Sequence, residues 1–269
     1  MRGIGRNHGF GGGVGDFLKG WLRGWTARAK PTTRPSPKRG LLTRIGRGLW
    51  TTIWVFVLIS LALVLLLRWM PPPVSSVMAQ NWWRAAWSDG ATIRHQWMPY
   101  EKISPYAALA VIAGEDQRFP QHYGFDLIEI QQVLDDLVAG KSVRGASTLS
   151  QQVAKNLFLW SGRDWVRKGL EAWFTVLLEL LWSKQRILEV YLNIAEFGED
   201  TFGAEAASRQ FFDKSAARLT AREAARLAAV LPNPRRYRVD RPSAYVIKRQ
   251  RWIERQMRQL GGIAYLERL

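Results

Sequence analysis

Cysteine is absent from the 269 residues of this chain. Its absence excludes disulfide bonds, thiolate metal sites and a cysteine nucleophile. Histidine is nearly as scarce, with only His8, His95 and His122, so a histidine-rich metal centre is excluded as well. The sequence has no internal repeat and no run of alternating apolar and polar residues typical of exposed strands. These absences favour a mainly helical fold whose chemistry uses oxygen, amide and amine groups.

Acidic residues are almost missing from the first 48 positions, where Asp16 faces eleven lysine and arginine residues. This region carries +10 of the formal net charge of +17, so the rest of the chain is only mildly basic. The concentration of charge in one tail argues against nucleic acid as a partner. Because glycine and proline interrupt the tail repeatedly, we expect residues 1–48 to be disordered.

The longest apolar run, residues 49–67, contains no charged side chain. Its length is close to the roughly 20 residues that a helix needs to cross a bilayer. We therefore predict a transmembrane signal anchor over residues 49–70. A buried core helix fits poorly because no polar face interrupts the run, and a cleaved signal peptide fits poorly because the preceding tail is too long.

Basic residues are distributed unequally on the two sides of this run. Eleven precede it, whereas only Arg68, Arg84 and Arg94 lie between its end and Tyr100. The positive-inside rule then predicts a cytoplasmic amino terminus in a bacterial inner membrane, with the rest of the chain in the periplasm. Residues 71–103 are predicted to form a tryptophan-rich, membrane-proximal linker.

Helical signals dominate residues 104–269, which we expect to form one catalytic domain. Ser104 as a cap and Pro105 as the first helical residue predict a helix that places Glu115 at its end. Asp164 and Ser183 are predicted to cap two later helices. The later predicted helices cover residues 148–158, 164–182, 183–193, 203–212, 220–230 and 242–260, with one short hairpin that the sequence does not locate.

Glu115 and Asp116 form a carboxylate pair within the pattern Glu-Asp-x-x-Phe-x-x-His-x-Gly, which also contains Phe119, His122 and Gly124. Glu115 closes an apolar helix and has the chemistry of a general base. Asp116 would add like-charge repulsion beside it. The histidine is predicted to hydrogen-bond and shape the turn at the glycine. An isolated acidic pair at a helix end is usually solvated, so the surrounding pattern is what favours function.

A second cluster combines hydroxyl, amide and amine groups. Ser147 and Thr148 lie where a helix is predicted to begin. Gln151, Gln152 and Lys155 follow at helical spacings that bring them to one face. Such a face is suited to an anionic oxygen of a substrate. An ordinary capped polar face is the alternative for either half of the cluster alone.

A basic stripe follows, in which Arg163, Arg167 and Glu171 recur every four residues and Lys168 lies three before the glutamate. An intrahelical ion-pair ladder is the simplest interpretation. The functional interpretation is a diphosphate clamp, because arginine matches phosphate oxygens in pairs and lysine adds a point charge. Glu171 would then orient the cations or hold a divalent metal ion against the diphosphate.

These clusters, in this order, resemble the signature motifs of the peptidoglycan glycosyltransferases, which also form one domain of class A penicillin-binding proteins. A fourth motif matches residues 184–193, which include Asn193, and a fifth matches residues 203–207. The resemblance covers about residues 104–240. It implies a lysozyme-like, mainly α domain with a small membrane-facing lobe. It also implies that lipid II is polymerised into β-1,4-linked glycan with inversion and release of undecaprenyl diphosphate.

The resemblance further implies roles for matched residues. Glu115 would activate the 4-hydroxyl of the acceptor, and Lys155 with Arg163 would hold the donor diphosphate. Glu171 matches a second essential glutamate, and Asn193 joins the substrate-binding set. A divalent cation, Mg²⁺ or Mn²⁺, is expected at the diphosphate, and no organic cofactor is expected. The implied partners are lipid II, the lipid-linked nascent glycan, the inner membrane, and cell-division or elongation proteins.

The patterns Ser-x-x-Lys and Lys-Thr-Gly of penicillin-binding transpeptidases are absent, which predicts a monofunctional enzyme. Two other functions remain open. A lytic or hydrolytic lysozyme relative would also use a carboxylate in a helical cleft, but its substrate has no diphosphate for the basic stripe. A scaffold that recruits cell-wall proteins through the basic tail would not need both glutamates.

Overall fold

The computed structural model describes residues 40–87, 92–140, 147–162 and 164–269. Two sequence predictions, the substrate contact of Arg163 and the disorder of residues 1–48 over its first 39 positions, lie outside these ranges. Residues 41–48 were also predicted to be disordered, but they form the first part of a helix. The chain divides into two compact units, of which the first ends at Trp54 and the second covers Val55–Leu269. All sites discussed below belong to the second unit.

The described residues are mainly helical, which confirms the predicted fold class. Their ten α-helices are α1 (Leu41–Leu67), α2 (Ser76–Ala86), α3 (Pro105–Glu115), α4 (Leu127–Val138), α5 (Leu149–Phe158), α6 (Trp165–Leu181), α7 (Lys184–Ile194), α8 (Ala204–Phe212), α9 (Ala221–Val230) and α10 (Ala244–Gln259). Short 3-10 helices cover Tyr100–Lys102, Phe119–Gln121, Ala216–Arg218 and Gly262–Arg268. The helices α2 and α4 were not predicted from the sequence.

Helix α1 contains the apolar run. Its 25-residue stretch Thr43–Leu67 is long enough and apolar enough to cross a membrane. Its carboxyl end is hydrogen-bonded within the second unit. Trp182 Nε1 donates to the carbonyl oxygen of Val64 at 2.8 Å. Arg186 Nη2 donates to the carbonyl oxygens of Leu67 at 2.9 Å and Met70 at 2.7 Å. These donors satisfy carbonyls that a helix end leaves without intrahelical partners.

Helix α3 is buried over most of its length, with Ala107 through Gly114 all buried. A helix that is apolar on every side belongs inside a core, and α3 packs against α9 and α10. Pro105 lies in its first turn as predicted. Ser104 occupies the N-cap position as predicted, but its hydroxyl makes no capping bond and donates instead to the carbonyl of Leu219 at 2.7 Å. The helix ends at Glu115, just before the site.

Helix α5 packs against α6 and α7, and together they face the end of α3. The predicted caps of α6 and α7 are confirmed. Asp164 accepts from the backbone N–H of Arg167 at 2.8 Å, and Ser183 accepts from that of Arg186 at 3.1 Å. Capping side chains satisfy the free N–H groups of a first turn, so these local signals could be read from sequence.

The unplaced hairpin lies at β2 (Glu196–Gly198) and β3 (Thr201–Phe202). The strand β1 (Arg94–His95) pairs in parallel with β3, which gives the sheet order β1-β3-β2. This sheet ties the segment before α3 to the loop after α7.

Candidate active site

A cleft of about 440 Å³ opens at the junction of α3, α5 and α10. It brings together residues from the first two sequence patterns, which are separated along the chain. The predicted residues that line it are Glu115, Asp116, Ser147, Thr148, Gln152 and Lys155. Trp252 of α10 completes one wall. A carboxylate, an amide and an amine therefore share one polar cavity.

Glu115 stands at the carboxyl end of α3 with a side chain that is 13% exposed. Its Oε2 accepts a hydrogen bond from Gln152 Nε2 at 3.2 Å. Its Oε1 lies 3.9 Å from Arg249 Nη2. A carboxylate has about four lone-pair sites, so the amide and the nearby cation orient it while it can still accept from a hydroxyl. This arrangement is suited to taking a proton from a bound hydroxyl.

Tyr191 of α7 fixes the orientation of the Gln152 amide. Its hydroxyl donates to Gln152 Oε1 at 3.2 Å, which leaves the amide NH₂ directed at Glu115. Burial raises the pKa of the Tyr191 phenol well above its ordinary value, and the nearby carboxylates of Glu115 and Asp116 raise it further. The phenol is therefore a constant donor. Tyr191 supports the site from behind without lining the cleft.

Arg249 and Trp252 of α10 were missed by the sequence analysis. The guanidinium of Arg249 donates to the carbonyl of Gly114 at 2.7 Å and lies 4.4 Å from the centre of the Trp252 ring. It thus caps the end of α3 beside Glu115. The only sequence signal was the spacing of three between these two residues in a predicted helix. Nothing in the sequence linked that helix to α3.

Lys155 lies on α5, one turn beyond Gln152, and also lines the cleft. Burial lowers the pKa of its ammonium group, the Glu171 and Glu115 carboxylates oppose this, and the cations Arg167 and Lys168 lower the pKa further. In the part of the chain that the structure describes, Lys155 forms no ion pair. A partly desolvated ammonium group next to other cations is stabilised when an anion binds.

An ion-pair group on α6 extends from a buried glutamate to the surface. Its members are Arg167, Lys168 and Glu171. Arg167 Nη1 contacts Glu171 Oε2 at 2.8 Å, and Lys168 Nζ contacts the other oxygen, Oε1. The glutamate is 4% exposed at its side chain, whereas Lys168 is 46% exposed. The three residues do not line the cleft, but their charges act on Lys155. The ion-pair group on α6 therefore lies close enough to Lys155 to change the pKa of its ammonium group.

Asp116, adjacent to Glu115, stabilises the folded structure around the site. Its Oδ1 is 2.9 Å from His122 Nε2, and its Oδ2 accepts from the backbone N–H of Leu149 at 2.9 Å. The second bond fixes the start of α5, the helix that carries Gln152. His122 is buried by this pairing and packs edge-on against Phe119. The pair thus connects the end of α3 with the beginning of α5.

The turn after the histidine depends on Gly124, whose φ is +84°. A Cβ there would lie 2.6 Å from Thr175 Cγ2, so glycine is required. Its carbonyl accepts from the Thr148 hydroxyl at 2.7 Å. Thr148 and Gln151 also form a reciprocal capping box at the start of α5. The side chains of these two predicted substrate contacts are therefore engaged with the protein.

Asn193, also predicted to bind substrate, does not line the cleft. Its Oδ1 accepts from the N–H of Met98 at 2.8 Å, and its Nδ2 donates to the carbonyls of Met98 and Glu189, each at 2.9 Å. With 1% exposure it holds the segment before α3 against α7. Asn193 therefore has a structural position, whereas the predicted residues that line the cleft are Glu115, Asp116, Ser147, Thr148, Gln152 and Lys155.

Among the described residues, one acidic cluster has the composition of a metal site. Ligand atoms of Asp116, His122 and Asp126 lie within 4.8 Å of one another. Their contacts compete with an ion, because Asp116 holds His122 and Asp126 caps α4 through backbone N–H groups. Glu171 is equally committed, since both its oxygens contact cations. A divalent ion needs several available oxygens, and Glu171 does not offer them in this arrangement.

Comparison with known proteins agrees with the motifs. A family model described as Transglycosylase matches residues 84–258. A protein named biosynthetic peptidoglycan transglycosylase from Chromohalobacter salexigens is 56% identical over 239 residues, which is 88% of this chain and 100% of the relative. Proteins with the same name from Xanthomonas campestris pv. campestris (56% identity, 79% of this chain and 87% of the relative) and Pseudomonas putida (55%, 85% and 96%) are similarly close.

Proposed function

The chain belongs to the transglycosylase family, and on this premise we propose that it polymerises lipid II into glycan strands for the cell wall. It is a peptidoglycan glycosyltransferase, and only a transglycosylase model matches the chain. The observation that supports the proposed reaction best is the convergence of Glu115, Gln152 and Lys155 in one cleft. A base and a cation on either side of a cavity are what inverting transfer from a diphosphate donor requires.

In the proposed reaction, Glu115 accepts the proton of the acceptor 4-hydroxyl as that oxygen attacks the anomeric carbon of the donor. The bond between this carbon and the diphosphate oxygen breaks, and its electron pair leaves with undecaprenyl diphosphate. The anomeric configuration inverts. Gln152 holds the carboxylate in position through its 3.2 Å hydrogen bond, and Tyr191 holds Gln152. General base catalysis of this kind contributes roughly 10²- to 10⁴-fold.

The leaving diphosphate gains negative charge, and Lys155 is a cation that lines the cleft together with Glu115. Arg163, Arg167 and Lys168 are proposed to extend this positive region along the donor. Glu171 is proposed as a positioning residue, because its two oxygens hold Arg167 and Lys168 in a fixed relation. Ser147, which is exposed at the cleft, is a further proposed substrate contact. Thr148 and Gln151 are proposed to contribute through the shape of the loop they cap.

A divalent cation, Mg²⁺ or Mn²⁺, is proposed to arrive with the lipid-linked diphosphate as part of the substrate. The pairing of Glu171 with two cations argues against an ion held there by the protein alone. No step of the proposed chemistry is therefore assigned to a resident metal.

The proposed topology follows the charge distribution. Residues 1–48 would be cytoplasmic, and residues 49–70 would anchor the chain in the inner membrane. Residues 71–103 would connect the anchor to the catalytic domain, residues 104–269, in the periplasm. The apolar composition of α1 supports the anchor, and the eleven basic residues before it support the orientation. Cell-division or elongation proteins are proposed as partners because strand synthesis must be coordinated with growth.

The first test is polymerisation of labelled lipid II with Mg²⁺ by purified full-length protein. The wild type should make long glycan, and Glu115→Gln should lower the rate at least about 10³-fold, since an amide cannot accept the proton. Glu171→Gln should retain more activity if the residue only positions cations. The matched control is Glu101→Gln, an exposed carboxylate change outside the cleft.

Other outcomes would favour the alternative functions. Cleavage of finished glycan with lipid II left intact would replace the proposal with a lytic enzyme. Neither activity in a folded, membrane-inserted preparation would favour a scaffold.

A further inference from the structure

The exposed face of α10 carries basic residues that no carboxylate neutralises within the described ranges. The residues are Lys248, Arg251, Arg255 and Arg258, all exposed, and we refer to them as the α10 basic stripe. The one acidic residue of the helix, Glu254, accepts from Gln250 at 2.7 Å. A folded domain normally interleaves surface charges of both signs. A row of one sign along a helix therefore indicates a negatively charged partner.

The stripe begins at the rim of the cleft. With about 100° of rotation per residue, its four positions lie within roughly 80° of the helix circumference. Trp252, which lines the cleft, lies about 40° from the nearest member of the stripe. Lys248 and Arg255 are four residues before and three after Trp252, so both are its neighbours on the helix surface. A molecule bound in the cleft would pass this face as it extends outward.

A ligand that fits this position is a polymer that carries repeated negative charges and is threaded through the cleft. We propose that the α10 basic stripe binds the carboxylate-bearing peptide stems of the glycan strand whose sugars occupy the cleft. This inference rests on the proposed function, which places a growing glycan there. Each repeating disaccharide presents a peptide with free carboxylates, so successive stems form an anionic row that matches the cationic one.

The strength of such contacts suits a polymer that must move. Exposed charge pairs contribute a few-fold at most to a binding constant, and salt weakens them. Three or four together retain a strand without fixing its position. The stripe would thus keep the glycan near the cleft between additions while allowing it to advance.

Direct binding tests the proposal without any turnover. The variant combines Lys248→Gln, Arg251→Gln and Arg255→Gln in the full-length protein. The matched control combines Arg94→Gln, Lys102→Gln and Arg218→Gln, which removes the same charge from exposed positions outside the stripe. The ligands are soluble peptidoglycan fragments with their peptide stems and the same fragments after enzymatic removal of the stems. Thermal stability of both variants is measured to confirm folding.

The wild type and the control variant should bind stem-bearing glycan about tenfold more tightly than stem-free glycan at low salt. The stripe variant should lose this preference. Equal binding of the two glycans by the wild type, or an unchanged preference in the stripe variant, would overturn the proposal. Loss of binding to phosphatidylglycerol vesicles with no effect on glycan would assign the stripe to lipid headgroups instead.

The two proposals can fail separately. Because the binding assay uses finished glycan, its result does not depend on catalysis. A protein that polymerises lipid II normally but shows no stem preference refutes only the stripe. A protein that shows the preference but polymerises nothing refutes only the proposed reaction.

Discussion

Glu115 and Asp116 are neighbours in sequence, yet they belong to two regions with opposite properties. Glu115 faces the cleft, with one amide hydrogen bond and a cation at 3.9 Å. Asp116 also borders the cleft, but its carboxylate is engaged by an imidazole and by a backbone N–H that starts the next helix. The same division separates Gln152, in the cleft, from Gln151, in a capping box.

The comparison shows that the sequence motifs contain two kinds of residue. One kind builds the loop and helix starts, with its hydrogen-bonding groups satisfied by the protein. The other kind lines the cleft, where its polar groups can meet a substrate. Substitutions should therefore separate into those that reduce stability and those that reduce activity at unchanged stability.

After Glu115→Gln, the largest expected effect is also that of a residue lining the cleft. Lys155→Gln should lower kcat/KM for lipid II polymerisation about 100-fold, because a cation beside the leaving diphosphate is lost. Its melting temperature should stay within a few degrees of the wild type, since a partly desolvated ammonium group is removed along with its charge. Steady-state kinetics and thermal denaturation measure the two quantities. Lys102→Gln, an exposed change, is the control, and equal losses in both variants would contradict the assignment.

Among the residues that build the loop and the helix starts, Asp116 is the clearest test. Asp116→Asn should lower the free energy of unfolding by about 2 kcal/mol, because a charged acceptor of two buried donors is lost. The activity of the protein that remains folded should change less than for Lys155→Gln. Asp213→Asn serves as control, since Asp213 is exposed and its φ of +53° tolerates asparagine. A large loss of kcat at unchanged stability would show that Asp116 acts on the substrate and not on the fold.

Asn193→Ala sharpens the comparison at a residue the sequence had assigned to substrate binding. Its three hydrogen bonds to backbone groups should make the substitution cost about 1 to 2 kcal/mol of unfolding free energy. The KM for lipid II should not change. A raised KM in a fully stable variant would restore the substrate role.

The smallest expected effect is on pH dependence. A lysine is cationic below its pKa, and burial lowers the pKa of Lys155. Activity that requires its charge should therefore fall as pH rises, and should do so at a lower pH than an ordinary lysine would give. Lys155→Arg keeps the charge and should move this alkaline decline to higher pH in a kcat/KM profile. An identical profile for both proteins would show that another group titrates.

The sequence predicted what local signals encode. Asp164 and Ser183 mark helix starts because a cap acts within three residues, and the order of motifs gave the mainly helical fold. The sequence could not tell which member of a motif offers its side chain to the cleft. Gln151 and Asn193, which do not line it, and Thr148, whose hydroxyl is bound to Gly124, were therefore grouped with Gln152 and Lys155. That distinction depends on tertiary contacts.

Residues that act from a distance could not be found by spacing. Arg249 contacts the carbonyl of Gly114 across 135 positions of sequence. Tyr191 reaches Gln152 from a different helix, and its hydroxyl was one feature among many in its motif. Such contacts arise only when α3, α5, α7 and α10 have packed.

The bonds from Trp182 and Arg186 to the end of α1 have a consequence for the search for substrate. A domain on a slack tether would tumble, and each meeting with a lipid-linked donor would require a new alignment. Here the last turn of α1 is hydrogen-bonded to Trp182, at the end of α6, and to Arg186 of α7, and both of these helices pack against α5, which lines the cleft. With α1 as the proposed membrane anchor, the loss of rotational freedom would occur once, when the chain folds, and encounters with the donor would become a two-dimensional diffusion of molecules already facing each other.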